Sequence, residues 1–492
     1  MRTQICRLWL CSLALLVIST ANYAQDQQAE RRQPPRSGDM RQAGGPGPRQ
    51  PVPVVPPTGD ADVILGRPTG SSIALSVMRY DRDGSVVVSD GPRESDPSDR
   101  TGVLSLKKDQ PQEVTLDKLQ PNKRYSYQIK DAESGKSLVS GSFRTARPTG
   151  DAFVFTITAD SHLDLNTDTT LFQRTLANAK ADVPDFHIDM GDTFMTGKHE
   201  SRENAAQQYR AQRIYFAQAG QSLPFYFVLG NHDGEEARLS RDGPKSRLPQ
   251  DGAESLAVWS NGMRKRYFPN PVSDAFYSGN TKPDSWAGQL QDYYAWSWGD
   301  ALFIVLDPYW YGSSRRGDER WDLSLGDSQY QWLKQTLATS KARYKFVFVH
   351  QLIGGRDRQG RGGVEAAGFG EWGGLNADGS EGFKAHRPSW GMPIHRLLVR
   401  HGVSAVFHGH DHLYATQTLD GIVYQEVPQP GHPGQGVPRF AAEYGYLAGT
   451  ILGGAGHLRV TVASDKATVD FVRAQTEGNR QVAHTYNIPS IR

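Results

Sequence analysis

Five short apolar runs downstream of residue 150 each stop at side chains of the kinds that bind metals. Residues 153–159 lead into Asp160-Ser161-His162, and 186–190 into Gly191-Asp192. Residues 225–229 lead into Gly230-Asn231-His232-Asp233, 344–349 into His350, and 404–407 into His408-Gly409-His410-Asp411-His412. Runs rich in Val, Ile and Phe suit central strands buried on both faces, and in open α/β sheets ligands gather at the strands' carboxyl ends. A single Asp or His after a strand is ordinarily a turn residue or a helix cap. Five such ends, three rich in imidazole and two in carboxylate, instead call for strands whose ends converge.

The rest of the chain divides by composition. Arg2 and Arg7, an apolar stretch over 8–18 and small residues at Ser19, Ala21 and Ala24 have the layout of a secretory signal over 1–24, cut after Ala21 or Ala24. That stretch is shorter than the roughly 20 residues a membrane span needs, so an exported chain, periplasmic or extracellular and without a transmembrane segment once mature, is expected over an uncleaved anchor. Residues 25–58, rich in Pro, Gly, Gln and Arg, read as a disordered tether. Residues 59–147 carry about seven short β-rich runs at sandwich spacing, so an all-β sandwich is expected there. Pro148-Thr149-Gly150 marks a boundary, beyond which strands alternate with helical patterns over 167–180, 202–219, 327–340 and 393–400. Asp327 is expected to cap the third of these. An α/β domain of mixed sheets flanked by helices is therefore expected over 151–475, closed by a hairpin around Ser464-Asp465-Lys466, with 476–492 as a tail.

Charge excludes some functions. Lys and Arg number 55 against 53 Asp and Glu, so nothing draws the chain broadly to nucleic acid or membrane. Both cysteines, Cys6 and Cys11, fall in the signal, so the mature chain has no disulfide and no thiolate ligand. Any metal must be held by His, Asp, Glu, Asn, Tyr or backbone oxygen.

The ordered blocks Asp160-x-His162, Gly191-Asp192, Gly230-Asn231-His232-Asp233, His350 and Gly409-His410-x-His412 resemble the calcineurin-like metallophosphoesterase signature, over roughly residues 152–475. The resemblance implies two transition-metal ions, of Zn, Fe or Mn. Asp160, His162, Asp192 and His412 would hold one, and Asp192, Asn231, His350 and His410 the other. Asp192 would bridge them, since a carboxylate's two oxygens can join two cations and offset their repulsion. The same resemblance implies hydrolysis of phosphate mono- or diesters by in-line attack of a metal-bridging hydroxide, with His232 stabilising or protonating the leaving oxygen and Asp233 orienting it. His408 is expected behind the ligands, and His187, His199, His395, His401, His457 and His484 in structural roles.

The stretch Leu119-Gln120-Pro121-Asn122-Lys123-Arg124-Tyr125-Ser126-Tyr127 resembles a fibronectin type III corner, in which a tyrosine hydroxyl bonds back to the backbone. A sandwich before the catalytic domain is also the order found in purple acid phosphatases. This chain departs from them: Met195 stands where their iron-binding tyrosine follows the bridging Asp, and His162 is an additional ligand. The Gly-rich segment 353–390 is long for a simple connection and carries Phe369, Trp372, Phe383 and Trp390, so it reads as a substrate-facing lid. Arg356, Arg358, Arg361, Arg387 and His386 are its possible phosphate contacts, with Arg361, Arg387 and His386 foremost. The residues leave open a noncatalytic adhesion or scaffold protein stabilised by metal, and a metal-dependent hydrolase of another bond.

Overall fold

The computed structural model describes residues 50–490 apart from 93–99, 236–251, 313–320, 356–359 and 434–438. The signal, the tether up to residue 49, Arg356 and Arg358 lie outside the described residues.

Seven N-terminal strands form the expected sandwich. Ala61–Gly66, Ile73–Arg79 and Gln112–Leu116 make one antiparallel layer; Arg100–Leu106, Gly84–Pro92, Arg124–Asp131 and Ser137–Arg144 make the other, in that spatial order. Inward-facing Val63, Leu65, Leu75, Val77, Val88, Tyr127, Ile129 and Phe143 fill the space between them. The Gln120 N–H donates to the Tyr125 hydroxyl at 2.9 Å.

The sandwich is not a detached spacer. Gly66 pairs in parallel with Phe225, so the three-stranded layer continues the first sheet of the C-terminal domain edge to edge, nine strands in all. That continuity explains why Ile73–Arg79 is buried at every position. One face meets the sandwich core, and the other, with Ile64 and Met78, meets the helix Arg202–Gly220. From this helix Arg213 reaches the Asp62 carboxylate at 2.7 Å.

Two mixed sheets pack face to face in the C-terminal domain. The first carries Phe153–Thr158, Phe186–Asp189 and Phe225–Phe227 as parallel neighbours; the second carries Tyr344–Phe348 beside Ala405–His408, also parallel. Between them lies an aromatic core that includes Phe155, Phe186, Tyr226, Trp296, Phe303, Phe348 and Phe407. Burying each such side chain is worth about 1.5–3 kcal/mol, so this layer is the main adhesive of the domain. Helices Thr169–Ala181, Arg202–Gly220 and Leu256–Tyr267 lie with the first sheet, and Gly326–Thr339 and Ile394–Arg400 cover the second.

Several sequence expectations need correction. Residues 50–58 are not loose: the Gln50 side-chain amide donates to the His162 carbonyl at 3.1 Å, and Arg210 donates to the Val55 carbonyl at 3.3 Å. The expected tail contains Val482–Pro489, which pairs with Lys466–Arg473 and extends the first sheet. Asp327 caps nothing; it accepts the Trp390 indole N–H at 2.5 Å. Segment 353–390 is not a free lid either. Ile353, Ala366, Ala367, Trp372, Phe383 and Trp390 are packed into the core outside the second sheet, because aromatic side chains gain more there than over solvent.

Candidate metal centre

Parallel strands in both sheets end on the same edge, and their last residues turn sharply. Asp160, His162, Asp192, His410 and His412 all have positive φ, between +47° and +82°. Such backbone is unfavourable for residues other than glycine and persists where the surrounding structure over-determines it. Glycine permits the close approach: a Cβ on Gly230 would lie 2.1 Å from the Asp192 nitrogen, and one on Gly409 would lie 2.7 Å from Asp160 Oδ2. The Asp233 carboxylate clasps two of these turns, accepting N–H groups from Asp192, Thr193, Phe194 and Gly230 at 2.7–3.1 Å.

Two donor groups result, Asp160, His162 and His412 in one and Asp192, His350 and His410 in the other. His162 Nε2 lies 3.6 Å from Asp160 Oδ1, and His412 Nε2 lies 3.5 Å from the same oxygen. Asp192 Oδ2 stands between the groups, 3.4 Å from His350 Nε2 and 3.7 Å from His162 Nε2. Asn231 Oδ1 meets His410 Nδ1 at 3.0 Å. All seven residues expected as ligands are thus brought to one place. Asp160 Oδ1, His162 Nε2 and His350 Nε2 are buried without a hydrogen-bond partner, although they face one another. Buried polar atoms are rarely left so, and spacings of 3.4–3.7 Å are too long for hydrogen bonds and suit atoms around a common cation. The donor set therefore fits a pair of metal ions, and its mixture of imidazole and oxygen suits Zn, Fe or Mn.

The electrostatics agree. Burial would raise the Asp160 carboxyl, but His350, His162 and His412 outweigh it and hold the group below the ordinary carboxylate range. Asp192 is lowered in the same way, against its burial, by His350 and His232. Burial would lower His350, yet Asp192 and Asp160 push it up to about 10. In each case a buried carboxylate and a buried imidazole stabilise each other's charged form.

Behind the donors, His350 Nδ1 meets the Met190 carbonyl at 2.8 Å, which turns Nε2 toward Asp192. His408 Nδ1 lies 2.6 Å from Glu426 Oε2, consistent with a place behind the ligands. His232 stands at the rim with its side chain 23% exposed; its N–H donates to Asp192 Oδ1 at 2.8 Å, and Nε2 lies 3.9 Å from Asp192 Oδ2. Asp233 does not orient that ring, because both its oxygens are taken by the four backbone N–H groups; burial and the Asp192 charge push its pKa up to about 6. His187, His199, His395, His457 and His484 bond to Thr156 and Thr158, Gln208, Tyr424, Asp182 and Tyr414 respectively, and none joins a metal-type group among the described residues.

The sequence reading missed Asp164 and His432, which with His162 form a further His/Asp group. The one available signal was spacing, since Asp164 continues the Asp-x-His block by the same step of two. Of the expected substrate residues among those described, Arg361 alone lies by the centre: its guanidinium covers the Tyr444 ring at 4.2 Å, and the next residue, Gly362, donates its N–H to Asp411 Oδ2 at 2.8 Å. Arg387 and His386 line an aromatic hollow to which none of the seven donors contributes. There Arg387 is paired with buried Glu371, and His386 stacks on Trp321 at 4.4 Å. Met195 is buried, so no tyrosinate stands at that position.

The solved structure of PhoD is similar to this chain at 14% identity and TM-score 0.63, over 89% of this chain and 92% of that one. The purple acid phosphatase PPD1 from yellow lupin (Lupinus luteus) seeds is similar at 14% identity and TM-score 0.57, over 88% and 75%. At such identities the likeness is one of fold. No curated protein sequence matches the chain. Residues 153–414 match the calcineurin-like phosphoesterase family. That match spans more than half of the sequence and holds all seven donors, and the chain belongs to the calcineurin-like phosphoesterase family.

Proposed function

We propose that the chain is an exported phosphoesterase with a dinuclear metal centre, acting on phosphate mono- or diesters. The observation that carries this reading is the pair of donor groups meeting at Asp192 Oδ2, with buried, partnerless ligand atoms aimed between them. Asp160, His162, Asp192 and His412 would hold one ion, and Asp192, Asn231, His350 and His410 the other. Such a pair supplies Lewis acidity and an activated water for in-line displacement at phosphorus.

The chain's own residues supply the rest. Asp192 would hold both ions through its shared carboxylate. His232, the partly buried imidazole of the rim, donates a proton or hydrogen bond to the departing oxygen. Asp233 fixes the turn that carries His232, and Arg361 is the remaining candidate for contact with substrate. The three-on-four strand arrangement and the Gln120–Tyr125 contact support a fibronectin type III-like reading of the sandwich. Export rests on the signal-like N-terminus, and no helix of the described residues is long and apolar enough to cross a membrane.

Assay of the mature protein with a chromogenic monoester and a chromogenic diester tests this. The wild type is expected to cleave at least one, and His232→Ala to keep its metals while losing about 10²-fold or more in kcat. Metal-loaded protein inert toward both would favour a scaffold, and near wild-type turnover in His232→Ala would remove that residue from the chemistry.

A further inference from the structure

We infer that a third divalent cation binds beside the proposed pair, held by His162, Asp164 and His432. One donor atom from each of these residues lies within 4.8 Å of the other two. His162 Nδ1 is 3.6 Å from Asp164 Oδ2, and Asp164 Oδ1 is 3.1 Å from His432 Nε2. Ligands about 2.0–2.2 Å from a tetrahedral ion stand about 3.3–3.6 Å from one another. The donor groups of the centre itself show 3.4–3.6 Å. The His162–Asp164 spacing matches them, while Asp164 Oδ1 and His432 Nε2 share a hydrogen bond at 3.1 Å that the ion would replace, and two imidazoles with one carboxylate suit a borderline ion such as Zn²⁺.

The group is built in advance. Asp164 Oδ1 accepts the Asn166 N–H at 2.8 Å, which leaves Oδ2 facing His162. The loop carrying His432 is tied to the same region twice: Asp168 donates its N–H to the Gly431 carbonyl at 2.8 Å, and Gln429 donates to the Asp160 carbonyl at 3.1 Å. The His432 side chain is 3% exposed and its Nδ1 is buried without a partner, so the ring is held from the Asp164 side. Asp164 is 25% exposed, which leaves one open side from which water can complete the coordination.

His162 presents Nε2 to Asp160 and Asp192 and Nδ1 to Asp164. It can serve an ion on each side only as the imidazolate, so entry of the third ion releases the remaining ring proton to solvent. This inference shares His162 with the two-ion reading and otherwise stands on different residues.

The test is to strip the full-length mature protein of metal, reload it with Zn²⁺ alone by equilibrium dialysis, and count ions per chain by elemental analysis. Three are expected in the wild type and two in each of Asp164→Ala and His432→Ala. His432→Gln, closer in volume, should also bind two, with circular dichroism confirming that it folds. Asp192→Ala, which removes the proposed bridge of the pair, should keep one ion, and adding Asp164→Ala to it should remove that one. A wild type that binds two ions, with two again in Asp164→Ala, would overturn the third site while leaving the pair standing. A wild type that binds two, with fewer in Asp164→Ala, would equally overturn it and make Asp164 a support for His162 instead of a ligand.

Discussion

The N-terminal sandwich and the metal centre bury polar groups differently: unmatched atoms such as Arg144 Nε stand apart in the sandwich, and three stand together at the centre. In the sandwich, buried Arg79 is answered by Asp81 at 2.7 Å and Asp131 at 2.6 Å, and the left-handed residues Arg67, Lys118 and Asn122 sit in solvent-touched turns. At the centre, Asp160 Oδ1, His162 Nε2 and His350 Nε2 are left facing one another without hydrogen bonds, and the left-handed residues Asp160 and Asp192 are fully buried. A buried polar atom left unmatched costs about 1–3 kcal/mol. A fold that tolerates three in one place, on strained backbone, keeps them for a ligand. The sandwich answers its buried charge with its own carboxylates, and the centre is complete only with what it binds.

Glycine gives the largest expected contrast between the two regions. Gly230→Ala would drive a Cβ to 2.1 Å from the Asp192 nitrogen, so the two ligand turns must part. Since misplacement of about 1 Å can cost 10²-fold, kcat/KM is expected to fall by more than about 10²-fold. Kinetics close to wild type would break the contrast. Next in size is Arg387→Ala, which leaves the Glu371 carboxylate buried without its cation. A loss of about 3 kcal/mol in denaturant unfolding is expected, with KM unchanged. A raised KM with unchanged stability would return Arg387 to substrate binding. The smallest effect belongs to the sandwich: Gly102 is exposed on a strand, and nothing lies within 4 Å of an added Cβ. Gly102→Ala should shift stability by no more than about 0.5 kcal/mol, and a larger loss would show that this surface is covered by something else.

The strand-end residues were readable because chemistry and position coincide there. A Phe/Val/Ile run followed by Asp-x-His states both a buried strand and a donor, and the seven donors did converge. What could not be read was what two distant segments do to each other. Asp233 looks like a partner for its neighbour His232, and only the fold shows its oxygens held by turns some 40 residues earlier in the chain. The aromatic residues of 353–390 argued against disorder but could not distinguish a lid from a segment packed on the second sheet. Leu256–Tyr267 is not among the helical patterns read from the sequence; Asn261-Gly262 in its middle is a turn-type pair, whereas in the fold buried Asn261 bonds Glu235 at 3.0 Å and Arg264 pairs with the same carboxylate at 2.7 Å. The joining of the sandwich to the catalytic sheet through Gly66 leaves no local mark, since a parallel pairing across 159 positions has no periodicity to betray it.

The central claim is that Asp192 joins two metal ions, and elemental analysis of purified wild-type and Asp192→Ala protein tests it most directly. The account predicts that the variant, folded by circular dichroism, contains two fewer ions per chain than the wild type and hydrolyses neither a chromogenic monoester nor a diester at a measurable rate. A folded Asp192→Ala protein with unchanged metal content would contradict it.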